Sequence, residues 1–202
     1  RSSDLSRALH AELLQQLHTA RAVGLDVVFA EPSDAQADTQ LANAISQHGR
    51  VALPVFVDRS RQPPQMLLPL PSLANRAAAL GHVDLNFDGD GVVRRLYLQA
   101  GIGDTDFPAL PMAMLQAGGV HPRNPTAIVH SISGDWVTAD PLLLAFGDVT
   151  RRIRVISAAD VLAVTRLPTK TSNGLLSSAQ PQSSISFFLH IFFPERSNFS
   201  KS

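Results

Sequence analysis

The chain has 202 residues, enough for one ordinary domain with a sizeable core, or a domain plus an appendage. Seventeen basic and seventeen acidic residues leave no net charge, which excludes the positive footprint that nucleic-acid binding needs. The absence of cysteine excludes a disulfide scaffold, a thiolate metal cluster and a cysteine nucleophile, but does not separate compartments.

In chain order, "DLSRALHAELLQQLHTARA" spaces Leu5, Leu9, Leu13 and Leu17 four apart, with Leu14 widening the stripe. This predicts an amphipathic helix, capped by Ser3 or Asp4 and stopped by Gly24. "LDVVFAE" then has the length and valine content of a buried strand. "PSDAQADTQLANAISQHG" repeats the cycle: Asp34 or Asp38 caps, Leu41, Ala42 and Ile45 form an apolar face, and Gly49 closes before the strand "RVALPVFV". Two helix-strand units in succession predict an α/β fold whose sheet is mostly parallel or mixed, with flanking helices.

The proline-rich "DRSRQPPQMLLPLP" reads as a surface loop with room for function, and "LANRAAALG" as a short helix stopped by Gly81. "HVDLNF" and "VVRRLYLQ" read as strands of one internal β-hairpin around "DGDG". "FPALPMAMLQAGG" is a further helix, "WVTADPLLLAF" a strand, and "RIRVISAADVLAV" a strand leading into a helix capped by Ser157. From Thr171 the chain turns serine-rich without capped periodic segments. Residues 1–165 are therefore expected to form the domain, and 166–202 a disordered or non-native tail. "SFFLHIFFP" is far shorter than the ~20 apolar residues of a membrane span. Together with a first residue other than methionine, this suggests a piece cut from a longer protein, without its own anchor.

"DLNFDGDGVVRR" matches the start of a calcium loop, with Asp84, Asn86 and Asp88 at its first, third and fifth positions and Gly89 at its sixth. Arg95 stands where the bidentate glutamate belongs, so the stretch reads as strand, acidic turn and strand. Its period-two pattern places Val83, Leu85 and Phe87 inward, and Asp84, Asn86 and Asp88 toward water. No metal site is assigned. His10 and His18 are eight apart and His82 stands alone, so histidines are expected to be structural or solvated. Asp26, Glu31, Asp34 and Asp38 are candidates for a hydrolytic acid pair only by lying near strand ends. Helix capping accounts for Asp34 and Asp38, and a buried hydrogen-bonding role for Asp26. No catalytic or cofactor-binding residue is assigned, and no cofactor is expected.

In order, "HAELLQQLHTARAVGLDVVFAEPSDAQADTQLANAI", "GHVDLNFDGDGVVRRLYL" and "RVISAADVLA" resemble the second type of CHASE domain over residues 7 to 164. The signature residues Asp26, Gly81, Asp88, Asp90, Gly91 and Arg94 are expected to be structural. The resemblance implies a non-enzymatic, extracytoplasmic sensory domain of a bacterial inner-membrane receptor. It would detect a small-molecule or protein stimulus and regulate a histidine kinase, diguanylate cyclase or adenylate cyclase elsewhere in a membrane-anchored, dimeric parent. The alternative is a freestanding periplasmic solute- or ion-binding protein. The family's earlier strand and its later Gly-Lys strand are not matched, so the sheet is expected to be incomplete and the fragment weakly stable.

Overall fold

The computed structural model describes residues 6–121, 134–144 and 156–163, and the backbone of 187–189. Helix α1 (Arg7–Gln16) is capped by Ser6, whose hydroxyl accepts the Leu9 N–H. It buries His10, Ala11, Leu13 and Leu14. Ser3 and Asp4 lie outside the described residues. Strand β1 (Val23–Leu25) follows, earlier than the "LDVVFAE" reading placed it. Gly24 is the middle of this strand and not a helix stop, because Met114 lies against it: a Cβ there would sit 2.6 Å from the Met114 sulfur.

Helix α2 (Ala35–His48) is as expected, with Asp34 as N-cap accepting the Ala37 N–H at 2.8 Å, and Gly49 closing it at φ 70°. Strand β2 (Val51–Asp58) is buried over its first five residues. Val51 and Leu53 pack with α1 and α2, while Ala52 packs with the opposite layer, so both faces are covered. Pro54, which has no N–H to give, lies beyond the two β2 residues that β1 pairs with, Val51 and Ala52.

The loop after β2 carries a short antiparallel strand, β3 (Gln65–Leu67), which sequence reading missed. Helix α3 is only Pro71–Ala74. The alanine-rich stretch expected to continue it instead forms strand β4 (Ala79–His82), parallel to β2. The reason is again a glycine contact, since a Cβ on Gly81 would lie 2.6 Å from Leu110 Cα and 2.8 Å from Ala113 Cβ. Gly81 lets a helix rest directly on the strand.

The expected hairpin shrinks to a single bridge, Asn86 with Arg95, ahead of β5 (Arg95–Ile102). A turn at Gly103 (φ 62°) joins β5 to β6 (Thr105–Pro108), another strand that was not foreseen. Helix α4 (Leu110–Ala117) supplies Leu110, Ala113 and Met114 to the layer against Ala52. Strand β7 (Trp136–Leu143) pairs antiparallel with β5. Helix α5 (Ala158–Ala163) packs on α1, and the Ser157 hydroxyl accepts the Ala159 N–H. Strand β8 (Phe187–Leu189) pairs parallel with β1.

The fold is therefore α/β, with two open sheets. A five-stranded mixed sheet runs β3, β2, β1, β8 with β4 also on β2, and an antiparallel sheet runs β6, β5, β7. Helices α1 and α2 cover one face of the first sheet and α4 the other. The strand expected over 151–155, and all of the tail except 187–189, lie outside the described residues.

The Gly81 contact gives a direct test. Gly81→Ala must push α4 off β4, so it should lower stability by about 1–3 kcal/mol in urea unfolding. Gly89→Ala, with no atom within 4 Å of the new Cβ, is the control and should stay within about 0.5 kcal/mol. Equal midpoints for the two variants would contradict this packing.

Candidate functional site

In parallel α/β sheets, ligands and coupling groups gather at the carboxyl ends of the strands. Here β1 is followed by Asp26, β2 ends at Asp58 with Arg59 next, and β4 ends at His82 with Asp84 two residues on. The chemistry concentrates on Asp84. Its side chain is 4% exposed, yet period-two reading had pointed it at water. Leu85 and Phe87, expected inside, are 51% and 68% exposed. The pattern is inverted because three donors meet the carboxylate. Arg59 grips it with two N–H groups at 2.7 and 2.6 Å, and the Trp136 indole N–H donates at 2.9 Å.

Burial alone would push the Asp84 carboxyl up. Arg59 and the Trp136 N–H outweigh that, and hold it below the ordinary carboxylate range. The same pairing raises the Arg59 guanidinium further. One carboxylate thereby joins the β2–β3 connection, the end of β4 and the start of β7, and so links the two sheets.

His82 completes the cluster. It is 1% exposed, its Nδ1 accepts the Asp84 backbone N–H at 3.3 Å, and its ring stands edge-on to Trp136 at 6.3 Å. Its Nε2 has no hydrogen-bond partner among the described residues.

The acidic turn is a separate unit. Arg94 donates to Asp88 at 2.9 Å and to Asp90 at 2.8 and 2.6 Å, and Arg95 reaches Asp88 at 3.2 Å. Gly91, at φ 79°, turns the chain between them. The carboxylates that the calcium template singles out are bonded to guanidinium groups instead, Asp84 to Arg59 and Asp88 to Arg94 and Arg95. Among the described residues, no group of three or more His, Asp or Glu side chains is arranged to hold a metal.

The remaining sequence candidates fall elsewhere. Asp34 caps α2, and Asp38 accepts from Arg7 and from the Ser33 N–H. Arg7 also reaches the Glu31 carbonyl and lies over the Phe29 ring, against which His10 packs edge-on at 5.5 Å. His10 is buried and His18 exposed, with the His18 Nδ1 on the Gln15 carbonyl. A cleft of about 310 Å³ opens at the amino edge of the sheet, between the ends of α1 and α2. Two of its polar side chains bind the chain at the end of α1: His48 Nε2 bonds the Leu17 carbonyl, and Arg50 bonds those of His18 and Ala20. The cleft reads as the seam that fastens α1, and the carboxyl-edge cluster carries more chemistry.

Sequence reasoning missed Arg59, Trp136 and the burial of Asp84. The available signal was the lone tryptophan together with an arginine placed directly after a buried strand.

A family model described as the CHASE2 domain matches residues 1–182. No curated protein and no solved structure matches the chain.

Asp84→Ala removes the shared acceptor and leaves a part-buried indole N–H and a half-exposed guanidinium without it. We expect a loss of about 3 kcal/mol in chemical unfolding, the low end for breaking a buried pair because Arg59 remains half in water. Asp90→Ala, at an exposed pair, should leave the midpoint nearly unchanged. Equal effects at the two positions would refute the central place given to Asp84.

Proposed function

The chain belongs to the CHASE2 domain family, and on that basis we propose that it is the extracytoplasmic sensory domain of a bacterial transmembrane receptor. The output it regulates is a histidine kinase, a diguanylate cyclase or an adenylate cyclase in the rest of the parent protein. The chain itself performs no chemistry, and the parent is an inner-membrane dimer. The family match over residues 1–182 is the observation that carries this reading.

The cluster at Asp84 supplies a physical basis for signalling. A stimulus, whether a small molecule or a protein, acts only through its difference in affinity for two arrangements of the domain. A tenfold preference shifts their balance by about 1.4 kcal/mol. Two sheets whose junction includes one shared carboxylate offer two such arrangements, closed and loosened, and a dimer would pass the difference to the helices beyond.

Topology is the first test. Fusing alkaline phosphatase after residue 165 in the parent gene should give an active enzyme in membranes, because that reporter folds only outside the cytoplasm. Activity from a cytoplasm-dependent reporter at the same position would refute an extracytoplasmic location. Release of the intact parent by osmotic shock, without membranes, would favour a freestanding periplasmic protein instead.

A further inference from the structure

The carboxyl-edge cluster holds a titratable group that its bonding leaves incomplete. His82 lies within the fold, with Nδ1 accepting the Asp84 N–H at 3.3 Å, which places its one proton on Nε2; that atom closes no full hydrogen bond among the described residues, and the Tyr97 backbone gives the ring only partial support. A second proton would make Nδ1 a donor facing another donor, the Asp84 N–H. The ring would then lose the Asp84 N–H as a partner, and its attraction to the Asp84 charge would favour a new arrangement.

The surroundings leave one way to relieve this. Asp84 is the charged group whose field acts on His82, and its carboxylate lies two residues along the same segment. From the β2–β3 connection, Arg59 adds a second cation on that carboxylate. From β5, Tyr97 offers a backbone group, and from β7 the Trp136 indole is uncharged. The strand-helix contact beside His82 is made through Ala109, which has no charge.

We infer that His82 and Asp84 form an acid-operated latch, in which a protonated imidazole takes the Asp84 carboxylate in place of the Trp136 N–H and so frees the start of β7 from β4. The proton comes from solvent and no bond other than N–H is formed. In neutral solution the latch is closed by the Trp136 bond. In acid it is open, with Asp84 shared between two cations.

The direction follows from burial. Burial pushes the His82 pKa down from its ordinary value, and Asp84 and the Tyr97 backbone only partly offset it. The unfolded chain therefore takes up the proton first, so the stability of the closed form is complete above about pH 6.5. It is lost as the pH falls below that value. His10 and His48 are also buried with lowered pKa values and weaken the whole fold over the same range, so the test has to separate them from the latch.

Trp136 is the sole tryptophan in the chain, which makes its fluorescence a direct readout. In the full chain titrated from pH 8 to pH 5, we expect a reversible change in Trp136 emission with a midpoint below about 6.5, while far-ultraviolet circular dichroism is unchanged. The change should vanish in His82→Gln and persist in both His10→Gln and His48→Gln. A flat emission profile would overturn the latch, as would a transition retained in His82→Gln or one that coincides with loss of circular dichroism. Should His82→Gln not fold, nuclear magnetic resonance of the wild-type chain decides the matter. The His82 ring protons and the Trp136 indole N–H must then titrate with one midpoint, and separate midpoints exclude the latch.

Discussion

A carboxylate withdrawn from water has to be met by donors, and the donors that meet Asp84 come from segments far apart in the chain. Arg59 closes on it from the β2–β3 connection and Trp136 from the first residue of β7. Removing any one of the three leaves a polar group poorly satisfied at the junction of the sheets. That mutual dependence fixes where the antiparallel sheet sits against the carboxyl edge of the parallel strands. It also explains why Leu85 and Phe87 face solvent: with Asp84 turned inward, strand alternation sends its neighbours out.

The rest of the core is arranged more simply. Strand β2 is covered on both faces, and the two glycines at its flanks, Gly24 in β1 and Gly81 in β4, let Met114 and Leu110 of α4 approach the backbone. Side-chain burial there is insensitive to charge. The fold thus sets the apolar packing around β2 apart from the polar junction at Asp84. The Asp88, Asp90 and Arg94 turn belongs to neither, since its ion pairs are exposed and act on the local path of the chain.

Much of the core was legible from the sequence because its signals are local. The capping of α2 by Asp34, its closure at Gly49 and the buried run of β2 all rest on residues within a few positions of one another. The family signature was legible too, and the match over residues 1–182 shows the membership that "GHVDLNFDGDGVVRRLYL" suggested. What sequence could not show depended on partners distant in the chain. Gly24 and Gly81 looked like helix stops because the helix that needs their missing side chains, α4, comes later. Asp84 looked solvated because alternation was the only guide, and its partners Arg59 and Trp136 lie 25 and 52 residues away. The short strands β3 and β6 escaped notice because each has only three or four residues.

The distance between Asp84 and Trp136 also bears on how the molecule is assembled. Strands β1, β2 and β4 with helices α1 and α2 are complete by residue 82, so every contact among them is made within the first 82 residues. A chain emerging N-terminus first can close that layer early, because short loops lose little entropy on closing. Asp84 would then wait, with Arg59 as its first partner, until residue 136 arrives. The junction of the two sheets thus forms after the first layer, and only α5 on α1 and β8 on β1 draw on residues further along the described chain. A nascent chain stalled before β7 would leave β1 without β8 and β5 without β7, a state in which exposed strands are open to mispairing.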